Sequence, residues 1–139
     1  MKIKSNQVSH EVVVENENNQ KIVFKIDPSD MVQMALFGKV FETFENLRKF
    51  ELPKNEDFDV MLKAVEKMAV LFKEVKNQLD DATGINLSEL VFMNSNSILL
   101  YEQFFEQLSE EIEKAGVKVK DYVAKRRQEM LLQDHKDTL

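Results

Sequence analysis

The chain has no cysteine and no tryptophan, and only three glycines, two prolines and two histidines among its 139 residues. Without cysteine there is no disulfide, no thiolate nucleophile and no cysteine-based metal site. His10 and His135 lie in opposite terminal segments, and neither has a second histidine or a Glu-x-x-His partner at helical spacing. They supply no zinc or di-iron signature, and each reads as a solvated polar residue. Scarce glycine leaves no phosphate-cradling loop and no nucleophile elbow. No apolar run approaches the roughly 18 residues that cross a bilayer, and the opening MKIKSNQVSHEVVV lacks the apolar stretch of a signal peptide. The reading is a cytoplasmic binding protein rather than an enzyme, with no cofactor and no metal.

What is present is apolar bulk and acidity. Hydrophobic residues make up 43% against 32% charged, which places the chain among globular proteins rather than disordered ones. A chain near 150 residues buries roughly 68–70% of its unfolded surface, so one domain with a real core is expected. The formal charge of −6 opposes general affinity for nucleic-acid phosphates or anionic lipid, so neither is expected as a partner.

The stretch Asn55 to Leu79 carries the clearest pattern. Phe58, Met61, Leu62, Val65, Met68, Ala69, Phe72, Val75 and Leu79 recur at steps of three and four, as one face of an α-helix requires. Its regularity marks it as an internal post for the other helices. Upstream, Val12 to Val14 and Ile22 to Ile26 flank a polar tract rich in asparagine, which predicts a β-hairpin with Ile22, Phe24 and Ile26 on its packed face. Asp27-Pro28 predicts a helix start, and that helix runs to about Phe50. Its expected buried face is Met31, Met34, Phe37, Val40, Phe41, Phe44 and Leu47, with Gly38 as a close-packing point. Asn55 caps the second helix, which stops before Gly84.

Asn86-Leu87-Ser88-Glu89 resembles a capping box for a short helix through Phe92 or Met93. The tract Asn94 to Ser97 then interrupts the chain. The next helix runs from Ile98 to about Lys114, with Leu99, Tyr101, Phe104, Phe105, Leu108 and Ile112 at core spacing, and Gly116 ends it. Residues 117–139 carry six Lys or Arg against four Asp or Glu, whereas residues 1–116 are strongly acidic. The fold class is mostly α (α+β): an N-terminal β-hairpin, a bundle of three to four helices within residues 1–116, and a basic C-terminal tail or helix over 117–139.

Three chemical patterns have simpler explanations. A calcium-loop frame over Leu79 to Leu90 places leucine where both anchoring carboxylates belong. Glutamates 102, 106, 110, 111 and 113 form the solvated side of a helix whose other side is Phe104, Leu108 and Ile112. Lys125-Arg126-Arg127 and Tyr122 have the residue types of a phosphate and base contact, yet acidic neighbours favour an acidic protein surface or solvent. The ten Phe and seven Met are mainly core. Phe37, Val40, Phe41 and Phe44 nevertheless span a wider arc than one packing partner needs, which makes the first helix the candidate groove.

Two stretches carry a family resemblance. QKIVFKIDPSDMVQMALFGKVFETFENL, residues 20–47, runs a strand straight into a helix. DDATGINLSELVFMNSNSILLYEQFFEQLSEEI, residues 80–112, follows a glycine loop with a short helix, an Asn/Ser break and an aromatic helix. Together they resemble the small tail assembly chaperones of long-tailed phages and prophages of Gram-positive bacteria. The family pattern carries more glycine in the break than Asn94 to Ser97, which has none. The resemblance implies a mostly helical cytoplasmic protein, absent from the mature virion. It would coat the helix-rich tape measure protein during tail assembly, and a frameshifted longer form would engage the tail tube protein. On that reading Met34, Phe37, Phe41 and Phe44 contact the client, Tyr122, Lys125, Arg126 and Arg127 form a second contact, and the hairpin joins neighbouring copies by edge pairing. The alternative class is a phage or bacterial regulatory binding protein, an inhibitor or DNA-associated factor using the basic tail.

Overall fold

The computed structural model describes residues 1, 9–54 and 57–137, with backbone alone for 118–123, 126, 130 and 133–137. Strands β1 (His10–Glu15) and β2 (Lys21–Ile26) precede helices α1 (Met31–Lys49), α2 (Phe58–Thr83), α3 (Leu87–Phe92) and α4 (Ile98–Asp137). The α+β class, with hairpin first and helices after, is as the sequence predicts.

The strands pair antiparallel with Val12 opposite Phe24 and Val14 opposite Ile22. Val12, Ile22, Phe24 and Ile26 are buried against the helices, while the cross-strand partners Val13 and Val23 are exposed on the other face. Asparagine makes the turn. Asn19 takes a left-handed φ of 60°, and the buried Asn16 accepts at Oδ1 from the Asn18 and Gln20 amides. Its Nδ2 donates to the Leu90 carbonyl at 2.9 Å, which fixes the turn to the end of α3. A lone hairpin is marginal in water, so this docking is what sustains it.

Helix α1 starts three residues later than Asp27-Pro28 predicts. Asp30 is the cap, accepting from the Val32 and Gln33 amides, whereas Asp27 closes the preceding turn by accepting from Ser29. Met31 therefore sits in the first turn, exposed, and not in the core. Gln33 ties three elements together. It accepts from the Asp27 amide and donates to the carbonyls of Lys25 and Ala82. Gly38 makes no close approach, since a Cβ there would meet open space.

The expected cap Asn55 lies outside the described residues. Asp57 caps α2 instead, accepting from the Asp59 amide, and Gly84 ends the helix at φ 73°, a left-handed conformation that suits glycine. The Asn86 box is not formed. Asn86 makes no side-chain bond to the backbone but meets Glu89, and the start of α3 is held by Asp80 of α2. The Asp80 carboxylate accepts from the Ser88 amide at 2.7 Å and from Ser88 Oγ at 2.8 Å.

Helix α4 does not stop at Gly116 and continues to Asp137. A glycine inside a helix costs about 0.5–1 kcal/mol relative to alanine, too little to break a run of good helix formers such as Lys, Arg, Gln, Glu and Leu. Leu99, expected in the core, is exposed on its first turn. An aromatic array forms the centre of the fold. Phe92 stacks on Tyr101 with centroids 3.8 Å apart, Phe72 meets Tyr101 edge-on at 5.1 Å, and Phe44 stacks on Phe105 at 4.4 Å. Among the described residues no helix is long and apolar enough to cross a membrane.

Candidate partner-binding surface

The post role expected of α2 holds for only half its length. Phe72, Val75, Leu79 and Ala82 are buried, but upstream Phe58 is 73% exposed, Leu62 43% and Val65 48%, with Ala69 exposed beside them. Residues 58, 62, 65 and 69 follow one another at steps of four, three and four, so they form one stripe along the helix. The stripe continues to Phe72, and there it goes under cover, because Phe72 meets Tyr101 of α4. One turn later Lys76 Nζ donates to Asn96 Oδ1 at 3.0 Å, in the loop that leads into α4.

The direction of α4 explains the gap. Phe44 and Phe41 of α1 both pack on Phe105, and Arg48 lies beside Glu102, so α4 runs antiparallel to α1. It begins at Ile98, meets Phe72 through Tyr101 in its first turn, and leads away from the N-terminal end of α2. Phe58, Leu62, Val65 and Ala69 therefore form an exposed apolar ledge along the N-terminal half of α2. On another side of α2, Phe50, Val70 and Leu71 with Lys63, Glu66 and Lys67 line an open groove of about 550 Å³.

The site residues expected on α1 fall differently. Phe37 and Phe44 are core, 2% and 7% exposed, and so are not an outward arc. The wide arc of α1 serves two partners, with α2 on one side and α4 on the other. Met34 and Phe41 are half-buried against the same core. Phe41 and Phe44 do reach the floor of a groove of about 330 Å³ between α1 and α4, rimmed by Glu45, Arg48, Glu102 and Glu106. Its rim is partly neutralised. Arg48 grips both Glu45 oxygens, at 2.5 and 3.2 Å, and its guanidinium holds the Glu45 carboxyl below the usual carboxylate range.

Lys125 and Arg127 are exposed on α4, and Tyr122 and Arg126 lie on the same helix with side chains outside the described residues. Twenty residues past Phe105, Lys125 is about 30 Å along α4 from the α1 groove. The two expected contact sets are therefore separate surfaces.

His10 is not free in solvent. Its Nε2 lies 2.5 Å from Glu111 Oε2, joining β1 to α4, and Lys114 adds a weaker contact to the same carboxylate. This bond to His10, ahead of Lys114, holds the Glu111 carboxyl below its ordinary range. Glu111 thus leaves the group of merely solvated glutamates. His135 lies where side chains are not described. Among the described residues no group of three or more His, Asp or Glu side chains is placed to hold a metal ion.

The ledge escaped sequence reasoning because periodicity shows that a face is apolar, not what covers it. The available signal was width. Helix α2 carries two adjacent stripes, one through Ala64, Met68, Val75 and Leu79 and one through Phe58, Leu62, Val65 and Ala69, where a single packing partner needs one. No protein-family model, curated protein or solved structure matches the chain.

Proposed function

We propose that this chain is a helix-sheltering chaperone, and that its client is the tape measure protein of a long-tailed phage during tail assembly. The observation that carries the reading is the apolar ledge of Phe58, Leu62 and Val65, exposed along the N-terminal half of α2. An amphipathic client helix with apolar residues at i, i+3, i+4 and i+7 lays its seam on such a ledge as a third helix beside α1 and α2. Covering side chains of this size contributes on the order of 1–2 kcal/mol each before association costs are subtracted. That is strong enough to keep a long helix from aggregating and weak enough to release it when the tube assembles. The tape measure assignment draws on the family resemblance of residues 20–47 and 80–112. The client contacts accordingly move from α1 to α2, with Phe41 at the margin and Phe37 and Phe44 structural.

Coexpression with a helical tape measure fragment and recovery of the complex tests this. Leu62→Asp with Val65→Asp is expected to abolish recovery while leaving the circular dichroism of the free chain unchanged. Undiminished recovery by that folded double variant contradicts the assignment.

A further inference from the structure

Beyond Ala115, the last buried residue among the described side chains, α4 continues through residues 116–137, about 33 Å of helix. From Val117 onward every described side chain is exposed, including Val117, Leu131 and Leu132. A solitary helix of this length is marginal in water, because most helical stability in proteins comes from packing an apolar face. The extension therefore calls for a partner helix, and its sequence is polarised in a way that selects one. Its first half holds Lys118, Lys120, Lys125, Arg126 and Arg127 against a single Asp121. The remainder holds Glu129, Asp134 and Asp137 against Lys136.

We propose that residues 117–137 pair antiparallel with the same segment of a second copy of this chain, around a two-fold axis near Arg127. In that arrangement the basic half of each helix lies along the acidic half of the other, and the two macrodipoles oppose. A parallel pair would set like charge on like and is disfavoured. The contact is isologous, so it closes at a dimer and does not propagate. Position 132 of one copy comes level with position 122 of the other, while the two copies of position 132 stand about 15 Å apart along the axis.

The full-length protein is expected to sediment as a dimer that dissociates as salt is raised, since much of the selectivity is electrostatic. Lys125→Glu, Arg126→Glu and Arg127→Glu together are expected to yield a monomer. Mixing that variant with one carrying Glu129→Lys, Asp134→Lys and Asp137→Lys restores a heterodimer. Because the native chain has no cysteine, single Tyr122→Cys and Leu132→Cys variants report orientation through a short bis-maleimide. The mixture is expected to cross-link between 122 and 132, and Leu132→Cys alone is expected not to. A monomeric full-length protein, or efficient cross-linking of Leu132→Cys to itself, overturns the proposal. So does a dimer untouched by the charge reversals, which would place the contact at Val13 and Val23 of the hairpin or, if Leu62→Asp removes it, on the α2 ledge.

Discussion

His10 and Glu111, 101 residues apart in sequence, meet at 2.5 Å and fasten the first strand to the long helix. The carboxyl of Glu111 is held low by that bond, and a carboxyl depressed on folding contributes stability above its unfolded pKa. The contribution is lost as pH falls through the folded value. Thermal unfolding of the native chain and Glu111→Gln should differ near neutrality by about 1 kcal/mol, a shift of a few degrees. The two curves should converge on acidification, with the native chain losing the larger share.

Tyr101 is fully buried between Phe92 and Phe72, and its hydroxyl donates to the Ser95 carbonyl at 3.3 Å. Burial pushes the phenol well above its ordinary range. In a Tyr122→Phe background, ultraviolet titration should therefore show no phenolate until the fold is lost in alkali. Tyr101→Phe should cost about 1 kcal/mol in denaturant unfolding, and Tyr101→Ala about 3–5 kcal/mol.

At the start of α3, Asp80→Ala removes both bonds to Ser88 and should destabilise the chain by about 1–2 kcal/mol. Asn86→Ala, at the nominal cap, should change stability by only a few tenths of that. A larger cost from Asn86→Ala than from Asp80→Ala would show that Asn86, not Asp80, holds the helix.

Gly84 and Gly116 should respond oppositely to alanine. At φ 73°, Gly84→Ala costs about 1 kcal/mol, whereas Gly116→Ala inside α4 should raise helicity and add about 0.5–1 kcal/mol. A loss of helicity on Gly116→Ala would restore the helix end that sequence reading expects there.

These residues also show what was legible. Alternation in Ile22, Phe24 and Ile26 and the asparagine turn were readable because strand period and turn chemistry are local. The Gly84 cap was readable for the same reason. Asp30, Asp80 and Gly116 were not, because several nearby residues offer comparable caps and one glycine is a small penalty that its neighbours outweigh. Leu62 and Val65 were assigned to the interior, and Phe44, whose spacing places it in the core, was also assigned to the client surface. Their spacing is equally helical, and exposure depends on where α4 begins, a tertiary fact set by the Asn94 to Ser97 break. The bond between His10 and Glu111 has no sequence signal at all.

Hydrogen exchange of the full chain with and without a helical tape measure fragment tests the central claim most directly. The expected result is added amide protection confined to residues 58–69 of α2 and the adjoining start of α4, with residues 31–40 of α1 unchanged. A bound client that leaves residues 58–69 exchanging at their free rate would contradict it.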